Sequence, residues 1–100
     1  MARYHLDGRI YDTTRAATSW EEDTRSDGSN QISVATGSQW DHEALHESAR
    51  GTFWIESWSQ WQGSDNSARV LTDAEATIWL TVNDHPLPDR LESVAADIIE

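Results

Sequence analysis

The sequence predicts an α+β fold in which an antiparallel sheet of about five strands carries helices on one face, in the order ββ-α-βββ-αα. Two patterns lead to this prediction. Short segments of alternating apolar and polar residues, separated by turn residues, indicate β-hairpins in the first two thirds of the chain. A capping box followed by apolar residues at helical spacing indicates helices in the last third. The length of 100 residues suits a single domain, residues 1–100, with one hydrophobic core.

The first predicted element is a β-hairpin that turns at Asp7-Gly8. Both central positions of a type I′ turn require a positive φ, and this dipeptide is one of the pairs preferred there. Residues 3–6 and 9–11 flank the turn as its two strands. Pairing across the turn places three side chains on one face of the hairpin: Tyr4, Leu6 and Tyr11.

A short helix is predicted after this hairpin. Asp12 or Thr13 can cap its first turn, and its apolar stripe consists of Ala16, Ala17 and Trp20. The helix is expected to end in a run of three acidic residues, 21–23. Because carboxylates at the C-terminal end of a helix oppose its dipole, we expect this run to serve a purpose other than local stability.

A second β-hairpin is predicted around the loop 49–51, after a loop at residues 25–30 and a half-buried strand at residues 31–35. Gly51 suits the left-handed position of a three-residue hairpin loop. This loop pairs residues 41–48 with residues 52–59. One face of the hairpin then carries Trp40, His42, His46, Trp54 and Trp58, and the other carries Leu45, Phe53 and Ile55 beside Glu43, Glu47, Ser57 and Ser59.

The face rich in tryptophan and histidine has two interpretations, which the sequence leaves open. Cross-strand aromatic pairs stabilise sheets, so these residues are expected to form part of the core. Alternatively, they form an exposed patch that anchors a partner protein, since tryptophan is enriched at the centres of interfaces.

One formal metal-binding motif is present, because His42-Glu43-Ala44-Leu45-His46 fits the pattern H-E-x-x-H of zinc peptidases. On a helix, the two histidines lie one turn apart and can share one zinc ion. In the predicted strand they lie about 13 Å apart, which is too far for one ion. We therefore expect no metal and no other cofactor, and a minimal zinc peptidase is retained as an alternative function.

The last third of the chain is predicted to be helical, after a loop at residues 62–69. Thr72 and Glu75 form a capping box that opens a helix with Ala76, Trp79 and Leu80 on its apolar stripe. Pro88 suits the first turn of a final helix. The apolar stripe of that helix consists of Leu91, Val94, Ala95 and Ile98.

Charge is the strongest feature of the composition. Eighteen acidic residues stand against seven arginines, lysine is absent, and the formal net charge is −11. Such a field opposes binding to nucleic acids and to anionic membranes, and it favours basic partners. The alternative is that the acidity only keeps a small protein soluble. Cysteine is absent, and no apolar segment has the length of a signal sequence or membrane helix, so a cytoplasmic location is expected.

A recognisable pattern runs through residues 6–13, 36–40, 51–55, 57–63 and 73–80. It consists of Gly8-Arg9-Ile10-Tyr11-Asp12-Thr13, then a hairpin with a glycine turn, then Glu75-Ala76-Thr77-Ile78-Trp79-Leu80. In this pattern the chain resembles small, mostly uncharacterised bacterial proteins that are common on phages and plasmids. Small acidic proteins of mobile elements include anti-CRISPR inhibitors, several of which present carboxylates to the basic channels of nucleases. The resemblance therefore implies an anti-CRISPR-like inhibitor in a bacterial host.

The expected function is non-enzymatic binding to a basic protein, such as a CRISPR effector or another nucleic-acid-binding protein. Direct binding to nucleic acid or to a membrane is not expected, and the chain is expected to be a monomer or a homodimer. A general role in protein–protein interaction is the first alternative. The candidate binding residues are Glu21, Glu22, Asp23, Asp27, Glu43, Glu47, His42, His46, Trp54 and Trp58.

Overall fold

The computed structural model describes residues 3–6, 8–60 and 66–98. In chain order, the elements are β1 (Arg3–Leu6), β2 (Arg9–Asp12), a 3₁₀ turn (Thr13–Arg15), β3 (Thr18–Glu21), β4 (Thr24–Ser26), β5 (Gln31–Ser33), β6 (Asp41–Glu47), β7 (Phe53–Ser59), β8 (Ser67–Leu71), α1 (Asp73–Val82) and α2 (Asp89–Ile98). The α+β class is therefore confirmed. No helix within the described ranges is both long and apolar enough to span a membrane.

The central element is the hairpin of β6 and β7, and its register is the predicted one. His46 pairs with Trp54 and His42 pairs with Trp58, and the Ser48 N–H donates to the Thr52 carbonyl at 2.9 Å. Gly51 has a φ of 86°, the left-handed conformation that this turn requires. Strands β3 and β8 complete an antiparallel sheet in the order β3-β6-β7-β8.

The two helices pack on one face of this sheet, as predicted. Because successive side chains of a strand point to opposite faces, the alternate residues Phe53 and Ile55 of β7 face the helices. Both are at most 1% exposed. The main core combines residues of the sheet with residues of both helices: Leu45, Phe53, Ile55, Leu71, Ala76, Trp79, Leu80 and Leu91.

The N-terminal hairpin covers the opposite face of the sheet. Strands β1 and β2 pair with each other, and among the described strands they have no hydrogen-bonded ladder to the four-stranded sheet. Trp54, which points away from the helices, instead contacts Tyr4 and Tyr11 at ring-centroid distances of 5.8 and 5.6 Å. The described part of the chain is thus built in three layers: the β1–β2 hairpin, the four-stranded sheet and the two helices.

The predicted helix at residues 13–23 is wrong. Only a 3₁₀ turn forms there, with the Asp12 carboxylate accepting from the Thr14 N–H, and Ala16 is already extended. Residues 18–21 form β3, which extends the sheet along the free edge of β6. Thr18, Ser19 and Trp20 have modest helix propensity, so pairing with an available edge prevails over the apolar spacing. Trp20 still packs against the core, its ring 6.1 Å from that of Phe53.

The single sheet of five strands is also wrong, since the described strands form one four-stranded and two two-stranded sheets. The strand predicted at residues 31–35 is present as β5, but it pairs with β4, in a segment predicted partly as loop. Residues 67–69 belong to β8 rather than to the predicted loop, and residues 62–65 of that loop lie outside the described residues. Asp7 of the first turn also lies outside them, whereas the predicted pairing of Tyr4 with Tyr11 is confirmed.

Candidate functional site

The acidic run 21–23 lies at the end of β3, next to the C-terminal end of α1. The Asp23 N–H donates to Asn83 Oδ1 at 2.9 Å, and His85 Nε2 lies 2.5 Å from the Glu21 carbonyl oxygen. Glu21 and Asp23 are exposed, as is Asp84 in the turn that follows α1. Three carboxylates therefore surround the end of α1 that already carries the negative pole of the helix dipole.

Glu22 differs from its two neighbours because its side chain is only 11% exposed. One of its carboxylate oxygens lies 2.7 Å from His42 Nδ1, and the other accepts from the Glu43 N–H at 2.7 Å. This carboxylate joins the β3–β4 connection to strand β6. Its placement indicates a structural role rather than a surface available to a partner.

The buried position of Glu22 leads to a prediction. Replacing Glu22 by alanine removes the acceptor of two charge-assisted hydrogen bonds, so we expect the free energy of unfolding to fall by about 2–3 kcal/mol. Replacing the exposed Glu21 by alanine is the matched control and should change it by less than about 0.5 kcal/mol. Urea denaturation of the two variants measures both values. Similar losses in both would contradict the different roles assigned to these neighbours.

The other acidic candidates also have partners within the chain. Glu43 Oε1 accepts from Trp79 Nε1 at 2.8 Å, and Glu47 Oε2 accepts from Arg90 at 3.0 Å. The Asp27 carboxylate accepts from two backbone N–H groups of its own turn, and these hydrogen bonds lower its pKa. These three acids stabilise the fold locally.

The face rich in tryptophan and histidine is divided by the N-terminal hairpin. Trp54 and His46 lie beneath that hairpin, 1% and 7% exposed. His42 and Trp58 lie further along the same face, with ring centroids 6.0 Å apart, and both are half-buried. The interpretation as core therefore holds for the part of this face that the hairpin covers.

A network of hydrogen-bonding side chains crosses this covered face. Ser19 Oγ lies 2.7 Å from His46 Nδ1, and His46 Nε2 lies 3.4 Å from Glu56 Oε1. Tyr4 Oη donates to Glu56 Oε2 at 2.6 Å, and burial together with this carboxylate raises the pKa of Tyr4 to about 12. These contacts give His46, Glu56 and Tyr4 hydrogen-bond partners, as buried polar groups require.

The H-E-x-x-H residues lie on strand β6 and not on a helix, as predicted. His42 and His46 point to one face of the sheet, whereas Glu43 points to the other face and binds Trp79. A zinc peptidase needs the two histidines one helical turn apart. Within residues 3–6, 8–60 and 66–98, no group of three His, Asp or Glu side chains is placed to hold a metal ion.

The sequence prediction missed the outer surface of α1. Ile78 and Val82, one helical turn apart, are 54% and 52% exposed. They border a groove of about 300 Å³ between α1 and the sheet, whose wall includes Glu75 and Leu71. The signal was present in the sequence, because the apolar side chains of residues 74–82 extend well beyond a single stripe of the helix. A helix with so wide an apolar surface is normally covered on more than one side.

Comparison with protein-family models, with curated proteins and with solved structures finds no match to this chain.

Proposed function

We propose that this chain is a non-enzymatic binding protein of the mobile-element type, similar to anti-CRISPR inhibitors. Its binding surface, here called the α1 surface, consists of Ile78 and Val82 with the surrounding acids Glu21, Asp23, Glu75 and Asp84. The partner is a basic, nucleic-acid-binding protein. The observation that carries the proposal is the pair of exposed apolar residues on α1, beside the exposed acids Glu75 and Asp84. Arg69 also lines the groove, and its guanidinium lies 4.0 Å from the Glu75 carboxylate.

The α1 surface has the composition of a protein interface. Interfaces combine an apolar centre, which is desolvated on binding, with a polar rim that remains hydrated. Ile78 and Val82 supply the centre, and the groove beside them offers a recess for a partner side chain. Exposed apolar residues of this size are unremarkable when they are isolated, but here two of them lie on one helical stripe beside a groove.

The charge of the surface selects the class of partner. Residues 72–98 contain six acidic residues and one arginine, Arg90, whose guanidinium is engaged by Glu47 and Asp73. The last turn of α1 contains no basic residue, so nothing in that turn offsets the negative pole of the helix. Arginine and lysine side chains of a nucleic-acid channel would provide the complementary charge.

Two of the residues predicted from the sequence, Glu21 and Asp23, belong to this proposed surface. The backbone contacts of their segment with Asn83 and His85 hold both residues at the C-terminal end of α1. The other predicted acids contribute to the negative field of the protein without contacting the partner. In the alternative function, a general interaction domain, the apolar centre binds and the acids contribute little.

A matched pair of triple variants tests the proposal. We expect Glu21→Gln/Asp23→Asn/Asp84→Asn to weaken binding by about tenfold, because it removes three of the four carboxylates around the apolar centre. The control Asp89→Asn/Glu92→Gln/Asp97→Asn removes three exposed carboxylates of α2 and should weaken binding only slightly. The assay is competition with target DNA for a purified CRISPR effector, at low and at physiological ionic strength.

The outcome separates the two functions. Strong salt dependence together with a loss confined to the first triple variant supports an acidic α1 surface. Binding that is indifferent to salt but lost in Ile78→Ser/Val82→Ser indicates the general interaction domain. Equal losses in both triple variants would mean that only total charge matters, and the proposed surface would be wrong.

A further inference from the structure

A second surface feature lies on the opposite side of the sheet from the helices. A cleft of about 540 Å³ separates the N-terminal hairpin and the 3₁₀ turn from the turn between β6 and β7. Its wall includes Arg3, Arg9, Arg15 and Arg50. Four of the seven arginines of a chain with a net charge of −11 thus line one cleft. Such an accumulation opposes the charge balance of the whole molecule.

Three of these arginines, Arg9, Arg15 and Arg50, make no ion pair with any described carboxylate. They come from three separate segments: β2, the 3₁₀ turn and the β6–β7 turn. Like charges held around one cleft repel each other, and a bound anion relieves that repulsion. The arrangement therefore favours a ligand with several negative charges.

Asp12 is the acidic residue on the wall of the cleft, and its carboxylate is already occupied. One oxygen accepts from Arg3 Nε at 2.9 Å, and the other accepts from the N–H and the hydroxyl of Thr14 at 2.9 and 2.7 Å. These hydrogen bonds from Thr14 and Arg3 lower the pKa of Asp12 to about 2. Asp12 thus balances Arg3, and the other three arginines pair with none of the carboxylates in the described part of the chain.

We propose that this cleft binds a small ligand that carries a diphosphate group. Guanidinium groups match the oxygens of phosphate through paired hydrogen bonds. Cations that approach from three segments suit the tetrahedral, many-oxygen shape of linked phosphates better than a single planar carboxylate. The volume of about 540 Å³ lies within the usual range for sites of nucleotide-sized ligands.

The remaining wall of the cleft indicates which other groups the ligand contains, and the charge of the protein indicates which ligands the cleft excludes. Ile10, which is 63% exposed, gives the wall an apolar part, and the largely buried Tyr11 and Trp54 also line it. An organic group attached to the phosphates can pack there. Long polyanions are disfavoured because the net charge of −11 repels every segment that extends beyond the cleft. The site therefore selects a small molecule rather than DNA or RNA.

Calorimetric titration with ADP and with inorganic pyrophosphate tests this proposal. We expect both probes to bind, and tighter binding of ADP identifies an organic diphosphate as the ligand. Equal affinities identify the phosphates alone as the recognised group. Arg15→Gln/Arg50→Gln should weaken binding by about tenfold or more, since two charge-assisted contacts are lost. Arg25→Gln/Arg69→Gln is the matched control, because it removes two arginines that lie outside the cleft.

The inference is wrong if neither probe gives heat of binding at millimolar concentration, or if the two double variants lose affinity equally. It is also wrong if citrate binds more tightly than pyrophosphate, or if a short DNA duplex binds as tightly as ADP. Thermal melting of both variants checks the fold, and the exposed positions of the four substituted arginines predict unchanged stability. Arg15→Gln/Arg50→Gln leaves the α1 surface unchanged and the probes are small anions, so the proposed function stands or fails separately.

Discussion

Replacing Trp79 by alanine is expected to lower the free energy of unfolding by about 3–5 kcal/mol, the usual cost of truncating a buried tryptophan. Trp79 is 7% exposed and belongs to the main core between α1 and the sheet. Its indole N–H donates to Glu43 Oε1 at 2.8 Å. The substitution therefore leaves a cavity in the core and also removes the partner of a half-buried carboxylate.

Chemical denaturation measures this loss, and the adjacent Ile78→Ala provides the control. Ile78 is 54% exposed on the same helix, so its truncation should change stability by less than about 1 kcal/mol. Trp79→Phe keeps most of the buried area but removes the donor, so its cost should fall between the two. If Trp79→Ala denatured at the same urea concentration as the unmodified protein, the packing of α1 on the sheet would be wrong.

Replacing Trp54 by alanine is expected to cost a similar amount, about 3–5 kcal/mol, for a different reason. Trp54 is 1% exposed and holds the N-terminal hairpin on the sheet through Tyr4 and Tyr11, and its ring also packs on His46 of β6. No backbone ladder joins that hairpin to the four-stranded sheet. Aromatic contacts of this type contribute beyond the area that they bury, so their loss should also release the hairpin.

Near-ultraviolet circular dichroism during denaturation follows this release, because Tyr4 and Tyr11 lose a fixed environment. Trp40→Ala is the comparison, since Trp40 is 40% exposed and its truncation should cost clearly less. A loss in Trp54→Ala no larger than in Trp40→Ala would restore the hypothesis that the face rich in tryptophan is an exposed binding patch.

The elements predicted correctly are those whose signals are local. The three-residue loop at Gly51 sets the register of β6 against β7, and this register places His42 opposite Trp58 without reference to the rest of the chain. The capping box of Thr72 and Glu75 is similarly self-contained, and both of its hydrogen bonds are present.

The elements predicted wrongly depend on partners that are distant in sequence. Trp20 has apolar neighbours at helical spacing, but β6 offers an edge to which residues 18–21 bind as a strand. Residues 67–69 have the composition of a loop, yet they pair with residues 55–57 of β7. Short segments of this type take their structure from tertiary context, which local pattern does not contain.

The two proposed sites differ in the same way. The apolar character of α1 around Ile78 is visible in the sequence, although its exposure is not. The cleft is invisible there, because Arg9, Arg15 and Arg50 are widely spaced and only the folded arrangement brings them to one wall. Likewise, Glu22 cannot be told from Glu21 until the contact of its side chain with His42 is known.

Among the described residues, no backbone ladder holds the N-terminal hairpin on the sheet, and this has a consequence for motion. The ladder that protects its amide hydrogens is the one between β1 and β2, so separation from the sheet and local melting expose them without global unfolding. The amides of β6 and β7 lie at the centre of the sheet and should exchange only when the whole domain unfolds. When the hairpin separates from the sheet, it and the 3₁₀ turn move Arg9 and Arg15 away from Arg50. An anion bound between these three arginines would therefore slow hydrogen exchange in the hairpin.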